Sequence, residues 1–412
     1  MPLVNMKDMI DHAYQHNYAV GAFELVNLEF LQGVMAAAER CRAPVILSLG
    51  ESHFEFVDFD LMVSAVECAA QRASVPVAIH LHHGLGLQSA VRAINGGCNG
   101  VMVDVSHRAL GENINITREV VSMAHGCGVP VEGALGYVPN AEGEGAPSEP
   151  NQVVYTAVTE ARGYVDKTGV DFLAVSIGTL RGRMKTKPKL NLQRLKQINE
   201  ALGIPLTIYG GSGLNDSQYG RLIANGVAKI HYHTALADVA LEQVRASTRG
   251  NAKTHFRGAM RAVQEAVEQE TERCLRLWGA AGRAAEVLER CRHWVPVEHI
   301  VTHDAEGLDD MGAEAVMAEG RRILSTIPGV REVGSGKVMR DDGLCRYSWL
   351  VRFCHTAAVA SYREHPDYVS FVSQRLRPGL RVGADSHLNS WSAGSAQPSE
   401  SHLGWLSQAP RG

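Results

Sequence analysis

Eight short apolar segments, each followed by a polar stretch of helical periodicity, recur between Ala19 and Tyr232: Ala19–Phe23, Ala43–Leu47, Val77–Leu81, Gly100–Asp104, Val129–Glu132, Phe172–Ile177, Ile204–Tyr209 and Ala228–Tyr232. They are continuously apolar rather than alternating, as in strands of a parallel sheet buried on both faces. Strand and helix alternating eight times predict a TIM (β/α)8 barrel, whose chemistry sits where the strands end. At those ends stand Glu24, Glu51, His80, His82, His83, Asp104, His107, Glu132, Arg181, Tyr209, His231 and His233. Buried charged and imidazole groups cost stability unless paired or used, so this set predicts a working pocket.

The chain has 412 residues, more than the roughly 250 of one barrel, and the surplus lies at the C-terminus. We expect the barrel and a helical extension over 1–292, the latter capping the barrel or mediating dimer contacts. From Val297 the pattern changes to strand (Val297–His303), helix (Met311–Thr326), strand (Val330–Ser335), strand (Arg346–Phe353) and helix (Thr356–Arg363). That order predicts a ferredoxin-like α+β domain over 296–385. The Ser-, Gly- and Pro-rich stretch 386–412 reads as a disordered tail. A net charge of −4 with dispersed Lys and Arg argues against nucleic acid or an anionic membrane as partner. With no apolar leader-like segment after Met1 and no run near the roughly 20 apolar residues that span a bilayer, a cytoplasmic protein is expected. The eight cysteines form no Cys-x-x-Cys pair and read as reduced thiols.

Several strings in the barrel region resemble the class II, metal-dependent ketose-bisphosphate aldolases. They are Tyr18-Ala-Val-Gly-Ala-Phe23, His80-Leu-His-His-Gly84, Val103-Asp-Val-Ser-His107, Val131-Glu-Gly-Ala-Leu-Gly136, Ala174-Val-Ser-Ile-Gly-Thr179, Tyr209-Gly-Gly-Ser-Gly213 and Gly226-Val-Ala-Lys-Ile230. The resemblance implies a carbon–carbon lyase acting on a small phosphorylated ketose or a related anionic carbonyl compound. In that family a zinc ion polarises the carbonyl and a carboxylate moves the proton. The matching positions are altered here. His83 keeps a ligand place, His82 stands where the family has its proton-transferring Asp, and Arg181 and Tyr209 occupy the places of the other two zinc histidines. Of the family's two nearby glutamates only Glu132 remains, and His231-Tyr232-His233-Thr234 stands in the place of an Asn-x-Asp-Thr string. Since Arg cannot ligate zinc, three readings stay open: an inactive relative, a metal moved to new ligands, or a reaction without metal.

Strand periodicity puts His80 with His82, and His231 with His233, on shared faces. A divalent metal, zinc or another transition metal, could therefore be held by His82, His83, His233 and Glu132. The resemblance assigns substrate and phosphate contacts to Gly182, Lys185, Gly210, Gly211, Ser212, Thr234 and His231, because glycine-loop N–H groups and a hydroxyl cradle phosphate oxygens. His82, Glu142 and Arg181 are the expected catalytic residues, Glu142 from the loop that carries a mobile family glutamate.

Val297-Glu-His-Ile300, Ile327-Pro-Gly-Val330, Phe353 and Ser361-Tyr-Arg-Glu-His-Pro-Asp-Tyr368 resemble the Dabb family, ferredoxin-like modules that pair into a dimeric β-barrel. His299, Tyr347 and His365 could line a small pocket there. The resemblance implies a homo-oligomer. It also leaves open a ligand-binding or scaffold protein that dimerises through this domain.

Overall fold

The apolar segments form strands because the chain can bury both faces only inside a barrel. In the computed structural model, which describes residues 2–138, 153–180, 182, 189–248, 255–303, 310–337 and 347–376, they close in chain order. β1 (Val20–Glu24), β2 (Val45–Gly50), β3 (Val77–Gly84), β4 (Gly100–Val103), β5 (Val131–Leu135), β6 (Phe172–Val175), β7 (Leu206–Ile208) and β8 (Val227–Tyr232) form one closed parallel barrel. β1 pairs with β8 through Val20 opposite Lys229 and Phe23 opposite Tyr232, so the expected TIM barrel is what the chain forms. β2 and β3 each run three residues beyond the apolar segments that announced them. The barrel interior there accepts Ser48, His80 and His82, and an apolar run underestimates a strand whose last inward residues are polar.

The polar stretches between strands are helices with local stop and start signals. Asn27 accepts the Phe30 N–H at the start of Leu28–Cys41, Asp58 caps Phe59–Arg72, and Asn215 with Gln218 makes a capping box on Asp216–Ile223. The expected long helical stretch after the barrel divides into Phe256–Leu277 and Ala284–Arg290, because Gly279 and Gly282 take positive φ between them. Rather than capping the barrel, Phe256–Leu277 lies along Leu28–Cys41. Gly33 brings the backbones so close that a Cβ there would meet the Gln264 carbonyl at 2.8 Å. Trp278 follows, fully buried, its ring stacked 5.8 Å from Phe23 and edge-on to Tyr232, where it seals the β1–β8 seam.

Beyond Pro296 come β9 (Val297–His303), the helix Asp310–Leu324, β10 (Val330–Lys337), β11 (Tyr347–Phe353) and the helix Thr356–Glu364, in the expected order. The strands make an antiparallel sheet ordered β10-β11-β9. The face of β11 bearing Tyr347, Trp349, Val351 and Phe353 is buried while its alternate residues are half-exposed, the period-two signature that made this strand legible. The unit is fastened to the barrel: Arg331 grips Glu67 through two bonds of 2.8 and 2.7 Å, Asn95 accepts the Gly329 N–H at 2.8 Å, and the Ser361 hydroxyl donates to the Gly126 carbonyl. Arg331→Met is expected to lower stability by about 2 kcal/mol, since it strands a largely buried carboxylate. The exposed Arg352, which meets Glu298 and Glu332 on the sheet surface, should cost under about 0.5 kcal/mol when changed to Met. Urea unfolding midpoints separate the two, and equal shifts would refute the ranking.

Among the described residues no helix is long and apolar enough to cross a membrane. Seven cysteines are described, all free thiols, and six of them are buried. The expected tail lies outside the described residues, as do Glu142, Arg181 and Lys185.

Candidate functional site

The strand ends open into a cavity of about 1070 Å³, and its layers follow from which residues of each strand face inward. On β8 alternation turns Tyr232 outward, where its hydroxyl donates to Glu270 at 2.6 Å, and turns Lys229 and His231 inward. Lys229 reaches across the barrel to Glu132 on β5 at 2.5 Å, both fully buried. Tyr209, just beyond β7, donates its hydroxyl to the same carboxylate and accepts from Lys229 at 3.3 Å. Burial pushes the Lys229 ammonium down from its ordinary range, opposed by the attraction of Glu132. His80, also buried, lies 3.8 Å from Glu132. This layer is the polar base of the pocket.

One level up, Glu24 at the end of β1 is the hub. Its carboxylate accepts from His231 Nε2 at 3.0 Å and faces His53 Nδ1 at 3.4 Å and His233 Nδ1 at 3.7 Å. Gly50 at the end of β2 makes room for it, since a Cβ there would sit 2.3 Å from Glu24 Oε1. Burial alone would raise the Glu24 pKa, but the three imidazoles outweigh it and hold the carboxyl well below the usual range. Burial pushes His231 down to about 4 against the pull of Glu24. It also pushes His82 well below the usual imidazole value, helped by His231 and His83. Burial thus favours the neutral forms of His82 and His231 beside the Glu24 carboxylate, a good donor set. The His82 ring stacks on His231 at 3.6 Å and on Tyr209 at 5.0 Å, and His82 is only 1% exposed.

His83 points elsewhere. Its backbone has φ +51, where β3 shifts register against β4, and this rare left-handed conformation turns the ring to Asp104, with Nδ1 to Oδ2 at 2.6 Å. Asp104 is held in turn by the Ser106 hydroxyl at 2.7 Å. With its side chain 21% exposed, His83 is the more accessible of the two from the cavity.

Beside this cluster, at the ends of β7 and β8, lies a backbone cradle. Gly210 has φ +72 and packs so closely on the strand 6 loop that a Cβ would lie 2.1 Å from the Leu180 carbonyl. Gly211–Gly213 then makes a short 3-10 turn, the Ser212 hydroxyl accepts the Ala235 N–H at 3.2 Å, and Thr234 starts the helix Thr234–Thr248. Glycine N–H groups and a helix N-terminus facing one cavity suit an anionic oxygen.

The fold brings His82, His83, His231, His233, Gly182, Gly210, Gly211, Ser212 and Thr234 to this cavity. Of the sequence-derived metal set, Glu132 lies a layer below, committed to Lys229 and Tyr209. His233 falls just past the end of β8 yet faces Glu24 as His231 does. Glu51 also lines the cavity, its carboxylate accepting from the Leu85 N–H and the Ser89 hydroxyl. Sequence reasoning passed over His53, Lys229 and the central place of Glu24. Only Glu24, a charge directly after an apolar strand, carried a local signal.

The chain from residue 4 to 283 matches the family described as fructose-bisphosphate aldolase class-II. This chain belongs to the class II fructose-bisphosphate aldolase family. The fructose-bisphosphate aldolase of Staphylococcus epidermidis is 34% identical over 288 residues, covering 69% of this chain and all of the relative. That of Geobacillus stearothermophilus is 35% identical over 294 residues, again 69% of this chain and all of the relative. Among solved structures, the YdjI aldolase of Escherichia coli K12 matches with a TM-score of 0.62 and 32% identity, covering 68% of this chain and 99% of that one. A putative fructose-1,6-bisphosphate aldolase from Coccidioides immitis matches with a TM-score of 0.63 and 25% identity, covering 68% and 98%.

Class II aldolases are typically zinc enzymes, but the family's ligand positions do not fit that metal here. His83, its Nδ1 held by Asp104, could still offer Nε2, but the Tyr209 hydroxyl is spent on Glu132. The third position is Arg181, a side chain with no lone pair to offer.

Proposed function

We propose that the protein is an aldolase-like carbon–carbon lyase with a reworked active site, acting on a small phosphorylated ketose or a related anionic carbonyl compound. The observation that carries this reading is that one cavity is lined both by a glycine-rich anion cradle and by the Glu24, His82 and His231 cluster. An anion seated on Gly210, Gly211, Ser212, Thr234 and Gly182 would hold a short substrate with its carbonyl end toward that cluster, and Arg181 and Lys185 are the side chains we assign to its further negative charge.

Cleavage requires a base to take the hydroxyl proton from the carbon beyond the breaking bond, while the bond's electron pair moves toward the carbonyl to form an enediolate. A proton then returns to the new carbanion carbon. Exposure and geometry favour His83 for this work over His82. Asp104 fixes the His83 tautomer and can stabilise the imidazolium, as an aspartate does for a catalytic histidine elsewhere. Glu142 is the proposed partner that moves the second proton. His82, stacked and almost fully covered, suits a fixed electrostatic role better than a shuttle, which reverses the sequence-based expectation for the two neighbours. A divalent metal, when bound, would polarise the carbonyl oxygen.

The test is retro-aldol turnover on a panel of phosphorylated ketoses and hydroxy-keto acids, read by trapping the released aldehyde. Ser212→Glu is expected to raise KM at least about tenfold, equivalent to about 1.4 kcal/mol of lost binding, with a smaller change in kcat. Absence of cleavage across the panel would refute the lyase reading.

We divide the chain into a barrel unit over 1–292, a ferredoxin-like, Dabb-like unit over 296–385 and a tail over 386–412. A second reading, favoured by Arg181 and Tyr209 at the family's ligand positions, is a non-catalytic ligand-binding or scaffold protein that forms a homodimer through the Dabb-like unit. It would be supported if the full chain bound phosphorylated ligands without turnover and sedimented as a dimer.

A further inference from the structure

We propose that Glu24, His82 and His231 form a transition-metal site of this chain's own, displaced from the family's zinc position toward the β1–β8 seam. Each offers one ligand atom, and these atoms lie within 4.8 Å of one another with all three residues buried. Two imidazole nitrogens and a carboxylate oxygen are a set that holds catalytic zinc or a neighbouring first-row ion. Donors bound to a single zinc sit roughly 3.3 Å apart at bond lengths of about 2.0–2.1 Å, so modest side-chain rotation closes the set.

The hydrogen bonding points the same way. His231 Nε2 faces the Glu24 carboxylate at 3.0 Å, so a cation held by both would take the Nε2 lone pair in place of that hydrogen bond. The Nδ1 of His82 is buried without a hydrogen-bond partner among the described residues. A buried polar atom left unpaired costs about 1–3 kcal/mol, and a packing network would have satisfied it. A cation bound by that nitrogen removes the penalty and balances the Glu24 charge. His53 and His233, each beside Glu24, stand ready as a further ligand or as the partners that orient the carboxylate. A hydrophobic or small residue at any of the three positions would have left an ordinary core. The second such cluster among the described residues, His12, His16 and Glu286, is a poorer host, because Arg283 and Arg290 already share the Glu286 carboxylate at 3.1 and 4.0 Å.

This site shares the cavity of the proposed lyase but does not depend on turnover. The chelator-stripped full chain is titrated with Co²⁺ and Zn²⁺, followed by calorimetry and by cobalt d–d absorption. One equivalent is expected to bind. Glu24→Gln, His82→Gln and His231→Gln should each weaken binding by about 100-fold or more, beyond what loss of an orienting neighbour alone gives. His83→Gln, whose ring touches His82, should weaken binding far less than these three, and the remote Glu286→Gln should leave affinity within about threefold. X-ray absorption of the cobalt-loaded wild-type chain should show an imidazole-containing shell, a reading that survives if a variant fails to fold. No stoichiometric binding, an all-oxygen shell, or a loss equal in His83→Gln would overturn the site. A chain that binds cobalt in this way and cleaves nothing keeps the site and loses the lyase reading. One that cleaves without binding metal does the reverse.

Discussion

His83→Ala is expected to lower kcat by about 10²–10⁴-fold, the usual contribution of a positioned acid/base group, while KM changes little. The split follows from the layout. His83, held by Asp104 at 2.6 Å, is assigned to the reacting carbon, whereas anion binding is assigned to other lining residues, Gly210 to Ser212 and Thr234. Asp104→Asn should act in the same direction, because an amide can present its N–H to Nδ1 and favour the wrong tautomer. Rates at saturating substrate, with the far-ultraviolet spectrum unchanged, are the check. A variant within threefold of wild type would move the proton transfer to another group, and His82→Gln would then have to show the larger loss.

Lys229→Met is expected to destabilise the barrel by about 3–5 kcal/mol, because it leaves the Glu132 carboxylate buried with the Tyr209 hydroxyl as its remaining strong donor. The cost is the uncompensated charge rather than the worth of the pair. The double variant Lys229→Met with Glu132→Gln should therefore recover more than half of the loss, even though two interactions are gone. Urea midpoints at constant slope give both values. A loss below about 1 kcal/mol for the single variant would mean that the interior at this level is open to water, contrary to the full burial of both side chains.

Much of the scaffold was legible before any coordinates. The eight strands appeared as apolar runs, and the strand, helix, strand, strand, helix order after Pro296 appeared as a change of pattern. These signals are local: each depends on one element meeting one buried face. The site was legible only as a population of polar residues at strand ends. His82 and His83 are adjacent in sequence and chemically identical, and nothing local shows that one stacks on His231 while the other, in a left-handed backbone conformation, turns to Asp104. Glu132 looked like a free metal ligand because its partner Lys229 is 97 residues away.

Periodicity along the chain was enough to read the barrel and the order of strands and helices after Pro296, since each element's pattern depends on its own residues. Tertiary structure alone decided how the polar residues divide. Barrel closure sets β1 beside β8 and points strands 1, 3 and 8 at one centre, so Glu24, His82 and His231 meet there while Lys229 neutralises Glu132 one layer below. Partner choice among buried charges is a matter of distance and desolvation, and both are properties of the closed barrel rather than of any segment within it.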